Sequence, residues 1–140
     1  MTTQPQVDLR IIKPEEIFQY WQVVSTSDAA KRHSIEDLSW QFGKVASGEL
    51  SSVGFFRDQE LSGLVIFETK QFQRDGRLEL HAITRQIWAP RNARQFLPML
   101  MAKLKEWGYT KLGGGTTEDG KTMARLFGFK ILYTYIEKEL

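Results

Sequence analysis

The sequence predicts an α/β fold: a mixed, mostly antiparallel central sheet of about six strands with helices on both faces. Two observations carry this expectation. Alternating runs that suit strands are interleaved with apolar stripes at helical spacing. Their order is strand, two helices, three strands closed by tight turns, a long helix, a strand, a short helix and a last strand.

"VDLRII" alternates apolar and polar residues and runs into Lys13-Pro14, as a short strand would. Pro14 suits the first position of a helix, and Glu15 and Glu16 suit its positive end. Ile17, Tyr20, Trp21 and Val24 share the face of this first helix, which is expected to end near Asp28. Ser34 can cap a second helix, with Asp37 three residues on, and Ile35, Leu38, Phe42 and Val45 form its stripe before Gly48 stops it. "SSVGFF" and "LSGLVIFETK" flank a turn at residues 57–60, and "RLELHAIT" follows Asp75-Gly76, a strong hairpin signal. These three runs read as an antiparallel meander. Phe96, Leu100, Leu104 and Trp107 then line the longest helix, with Leu97 and Met101 alongside and Gly108 at its end. "YTKLGGG" is a strand dissolving into glycines, "GKTMARLFGF" holds a short helix, and "KILYTYIEKEL" is the final strand.

The chain has 140 residues, enough for one domain spanning 1–140 with a core of its own. Its formal charge of +2 gives no general argument for nucleic acid. With no cysteine, disulfides, thiolate zinc sites and a cysteine nucleophile are excluded. His33 and His81 are the only histidines, and neither sits with carboxylates at metal-ligand spacing, so no metal is expected. The N-terminus lacks the layout of a signal peptide, and no apolar run is long enough to span a bilayer. A cytoplasmic protein without membrane contacts is the expectation.

Residues Gly115–Thr122 read G-T-T-E-D-G-K-T and match the phosphate-loop pattern G-x-x-x-x-G-K-[ST] at every fixed position. The surroundings do not match. Only eighteen residues follow Thr122, which leaves no room for further crossover units, and Glu118 and Asp119 place two carboxylates inside the loop. A polar loop with a turn at Asp119-Gly120 is the favoured reading.

"LELHAITRQIWAP", "FLPMLMAKLKEWGYTKL" and "MARLFGFKIL", with the Gly128-Phe129 pair, together resemble the GNAT N-acetyltransferase fold over most of the chain. The resemblance implies acetyl-CoA as cofactor, held at an Arg/Gln-x-x-Gly-x-Gly/Ala turn opening the long helix. The matching positions here are Asn92, Gln95 and Leu97; the two small positions, 95 and 97, carry bulky side chains, and Pro98 follows. Arg91, Arg94 and Gln95 could hold phosphates through side chains instead, with Ile83 on the preceding strand also at the cofactor. The resemblance further implies a base on the fourth strand. Glu79 lies there with His81 on the same face, a conceivable base pair that also reads as the polar face of a half-exposed strand. A tyrosine four residues before Gly-Phe is common in the family, and Ala124 stands there. In layout the chain is also similar to small GNAT-like virion proteins of short-tailed phages, which lack the glycines; the shared points are an early "LRIIKP" and a closing "FGF".

"AAKRHS" and "APRNAR" are small basic clusters without interleaved aromatics, better read as solvated loops than as a nucleic-acid surface. Trp40 falls off the stripe of the second helix, and Trp88 is expected in a loop beside Pro90. Both are candidate partner anchors, with Glu118 and Asp119 as the rim of a cleft. The sequence reading therefore favours a GNAT-fold module without a cofactor, contacting a virion or host protein or a second copy of itself. The alternative is an acyl-CoA-dependent N-acetyltransferase with an atypical phosphate turn, and a weaker one is a phage inhibitor of a host factor.

Overall fold

Consecutive apolar residues in a strand demand cover on both faces of a sheet, because successive side chains point to opposite sides. Leu64, Val65, Ile66 and Phe67 form such a run, and all four are buried. The computed structural model describes residues 7–27, 34–88, 93–114, 128–130 and 138–139. Its elements are β1 (Val7–Ile12), a 3-10 helix (Pro14–Tyr20), α1 (Trp21–Ser25), α2 (Ile35–Ala46), β2 (Ser51–Arg57), β3 (Glu60–Arg74), β4 (Arg77–Trp88), α3 (Ala93–Glu106) and β5 (Lys111–Gly114). The sheet runs in the order β1-β2-β3-β4-β5, antiparallel up to β4, with β5 parallel to β4. The helices cover both faces. Ile17, Val24, Leu38, Phe42 and Val45 pack on Ile12, Leu64, Ile66 and Trp88. On the other side Phe96, Leu100 and Leu104 of α3 pack on Leu9, Val53, Phe55, Val65, Phe67 and Ala82.

The expected α/β architecture is present, with five strands among the described residues. The sixth expected strand and the short helix before it fall on residues outside the described ones. The start of α2 follows the capping rule: Ser34 accepts a hydrogen bond from the Asp37 N–H at 3.0 Å. Both hairpin turns place their two central residues at positive φ, Asp58-Gln59 at 50° and 71° and Asp75-Gly76 at 50° and 76°. That twist suits a two-residue connection.

Three elements depart from the sequence reading. The first helix opens as a 3-10 helix, whose three-residue repeat aligns Pro14, Ile17 and Tyr20 on one side. Ile17 enters the core and the Tyr20 ring meets Phe56 edge-on at 5.9 Å. The β3–β4 hairpin is longer than its apolar runs, because backbone pairing continues through polar residues up to Arg74↔Arg77. Finally, β4 continues to Trp88, so this residue ends a strand instead of standing in a loop.

Phe42 is fully buried, with the rings of Trp21 at 5.1 Å and Phe18 at 5.8 Å edge-on to it. Phe42→Ala should cost about 3–5 kcal/mol, measured by urea unfolding. A loss below about 1 kcal/mol would mean that this layer does not hold the helices to the sheet.

Candidate functional site

Among the described residues the β4–β5 pairing runs from His81↔Lys111 to Thr84↔Gly114. Two contacts fix the end point. The Thr84 hydroxyl donates to the Gly113 carbonyl at 3.2 Å. Gly114 has φ of 147°, and a Cβ there would lie 2.0 Å from Thr84 Oγ1 and 3.0 Å from the Thr84 carbonyl oxygen. Only glycine fits so close to its neighbour in that conformation. Beyond this junction β4 carries on through Arg85, Gln86, Ile87 and Trp88, and no described strand pairs with its β5-side edge. Among the described residues the backbone donors and acceptors of 85–88 have no partner strand on that side.

A bulge shapes the same stretch. Phe67 pairs with Thr84 and Ile66 with Gln86, so Arg85 is an extra residue. Its guanidinium bonds the Glu68 carboxylate, and this hydrogen bond, with the Arg85 and Lys70 charges, holds the Glu68 carboxyl below its ordinary range against a smaller opposing effect of burial. The extra residue turns Trp88 into the α1–α2 side of the core, where it is 4% exposed and its Nε1–H donates to Ser27 Oγ at 2.5 Å. Trp88, expected as an accessible anchor, is instead a core residue that ties down the end of the open edge.

Three residues before the junction lies His81. Ala82 packs in the α3-side core, so Glu79, His81 and Ile83 face the opposite side of the sheet. His81 Nε2 and Glu79 Oε2 are 2.9 Å apart, and Arg74 Nε stands 3.9 Å from the same carboxylate. The Phe72 ring covers the imidazole, with centroids 4.5 Å apart. Lys70 on β3 and Lys111 on β5 are the register partners of His81, one on each side. The hydrogen bond from His81 holds the Glu79 carboxyl below its ordinary range; the charges of Arg74, Lys111 and His81 add to this, and burial opposes it. A carboxylate so stabilised is a poor proton acceptor and a good orienting group. With Nε2 turned to Glu79, the imidazole has Nδ1 left to accept a proton.

The structure thus brings Glu79, His81 and Ile83 together on one strand near the junction. Arg94 and Gln95 lie in the first turn of α3. Pro98 lies in the second turn, so it spares the first-turn N–H groups that an anion would meet and releases only the Arg94 carbonyl from helical bonding. Arg91, Asn92, Glu118, Asp119 and the whole Gly115–Thr122 stretch are outside the described residues. Trp40 is 59% exposed on α2, with the Lys44 ammonium 5.4 Å from its ring centroid. Among the described residues no group of His, Asp and Glu could hold a metal ion, and no helix is long and apolar enough to cross a membrane. Thr84, the Gly113-Gly114 pair and Phe72 were not singled out from the sequence. Counting back from the Asp75-Gly76 turn pairs Phe72 with Glu79 and would have found the last of them.

No protein-family model matches the chain, and no curated protein matches it in sequence. Solved structures do match in fold. A ribosomal-protein-alanine N-acetyltransferase from Brucella melitensis biovar Abortus superposes with a TM-score of 0.64 at 16% identity, over 96% of this chain and 99% of that one. An aminoglycoside N-acetyltransferase in complex with CoA gives 0.67 at 12% identity, over 100% and 98%. A predicted acetyltransferase from Clostridium acetobutylicum with acetyl-CoA gives 0.58 at 12% identity, over 96% of each. Likeness at these identities establishes the fold, which is that of the GNAT N-acetyltransferases.

Gly114→Ala should destabilise the protein by about 2 kcal/mol through its strained φ and the collision with Thr84. An unchanged urea midpoint would show that β5 does not approach Thr84 this closely. Glu79 has a lower pKa folded than unfolded, so its ionisation stabilises the fold above the ordinary glutamate range, and that contribution fades as pH falls through the lowered value. The stability advantage of the wild type over Glu79→Gln should therefore narrow between about pH 7 and pH 3. A gap independent of pH would mean that the His81–Glu79 bond does not form.

Proposed function

We propose that this chain, which carries the GNAT N-acetyltransferase fold, is an acyl-CoA-dependent N-acetyltransferase. The observation that carries the reading is the close junction of β4 and β5 at Thr84 and Gly114. Beyond it no described strand pairs with residues 85–88 on that side, in a fold whose matched structures include complexes with CoA and acetyl-CoA.

The residues present fit such a cofactor in two respects. The open β4 edge supplies amide donors and acceptors of the kind that pair with the amides of a pantetheine arm. The fourteen-residue helix α3 begins five residues after β4 ends, and its first-turn N–H groups favour a phosphate. Arg91, Arg94 and Gln95 are the side chains assigned to the pyrophosphate in place of the missing glycines. When bound, the thioester would supply an activated acyl carbon: attack by an amine would form the amide and break the C–S bond, CoA leaving as its thiolate.

The acceptor amine must lose a proton to act as nucleophile. His81 is assigned as the group that takes it, through water, with Glu79 as the positioning residue that fixes the imidazole. Strand geometry favours this division: at about 3.3 Å per residue, His81 lies about 10 Å along β4 from the junction and Glu79 about 16 Å. Phe72 shields one side of the imidazole from water. The competing reading, a scaffold without acetyl-CoA chemistry in a virion or another assembly, rests on the bulky Gln95 and Leu97 at the two small positions of the turn. The cofactor test decides between them.

Acetyl-CoA at about a hundred times its Kd should stabilise the folded chain by about 2.7 kcal/mol, read as a rise of several degrees in Tm. No shift at millimolar acetyl-CoA would overturn the enzyme reading and restore the scaffold.

A further inference from the structure

We infer that two copies of this chain associate through β1, pairing antiparallel about Leu9 and joining their two sheets edge to edge. β1 stands first in the sheet, so its outer backbone groups have no partner strand among the described residues. Such an edge is a template for another strand unless proline, lysine or a bulge blunts it. β1 has no proline, lysine or bulge: its sequence is VDLRII, and its register with β2 is unbroken from Val7↔Arg57 to Ile12↔Ser52; its two charges, Asp8 and Arg10, are opposite in sign and block an edge partner only when like meets like. Ile11 is 58% exposed, a large apolar side chain at this edge.

The charge pattern selects both the occupant and the register. A two-fold axis perpendicular to the sheet keeps each side chain on its own face, so residues i and j meet only when i + j is even. Pairing about Asp8 sets Asp8 against Asp8, and pairing about Arg10 sets Arg10 against Arg10; both are repulsive. Pairing about Leu9 sets Asp8 against Arg10 of the second copy, twice. On the opposite face it builds an apolar row in which Val7 meets Ile11 and Leu9 meets Leu9. The side chains are already laid out for this. Arg10 Nε is 3.2 Å from its own Asp8, and the guanidinium lies over the Phe56 ring at 3.9 Å. Five N–H donors allow it to bond its own Asp8, Gln59 and the Asp8 of a second copy together. Alongside, Val7, Asp8, Leu9, Met99, Ala102, Lys103 and Glu106 line a groove between β1 and α3, where the apolar row would seat. The strand order puts β1 four spacings, about 19 Å, from β5, so pairing leaves the open β4 edge accessible.

Sedimentation velocity over about 1 µM to 0.5 mM should find the full chain as a reversible dimer. Asp8→Arg and Arg10→Asp each replace two attractive pairs by two repulsive ones and should weaken it about thirtyfold. Mixed together, the two variants should form a heterodimer, because every charge is again opposed by its opposite. Circular dichroism checks that each remains folded. A wild type that stays monomeric throughout, a dimer indifferent to both substitutions, or a mixture that fails to associate would each overturn the inference.

Discussion

The close approach of β5 to β4 at Thr84 and Gly114 is the constraint on which the rest of the site depends. Parallel strands ordinarily stay paired along their shared length, and a buried backbone left unpaired costs free energy. Here the Thr84 hydroxyl takes the Gly113 carbonyl and occupies the space that a side chain at 114 would need. The two strands are therefore held in register at a defined residue. The bulge at Arg85 and the burial of Trp88 then hold the end of β4 in place. An edge so held is preorganised, which lowers the entropy cost of binding a flexible chain along it.

Upstream of the junction the surroundings of His81 are strongly polar. Arg74 and Lys111 bring positive charge to Glu79, whose carboxyl is held below its ordinary range chiefly by its hydrogen bond from His81, and Lys70 pairs with His81 from β3. A positively charged surround opposes protonation of a nearby amine. The Phe72 ring contributes differently: it removes water from one side of the imidazole and limits its rotation.

The sheet and its covering helices were legible because their signals are local. The Asp75-Gly76 turn, the Ser34 cap and the stripe of Leu38, Phe42 and Val45 each act through neighbours in sequence. The Glu79–His81 pair was legible too, since two residues on one strand face are fixed by alternation alone. The junction was not. Thr84 and Gly114 are thirty residues apart, and their contact depends on how β5 returns beside β4 after α3. The position of Trp88 was misread for a related reason: a single extra residue at Arg85 reverses which side chains enter the core, and nothing in "ITRQIW" announces it. The letters of Gly115–Thr122 matched a phosphate loop, while the geometry that supports a cofactor reading lies one residue earlier, at Gly114, and along β4.

The central claim is that the open edge of β4 receives a CoA thioester. Amide chemical-shift mapping with acetyl-CoA on the isotope-labelled chain tests it most directly. The account predicts shifts concentrated at the amides of residues 84–88, 93–96 and 113–114, with little change along β1. Shifts absent from these three segments at saturating acetyl-CoA, or centred on another surface, would contradict it.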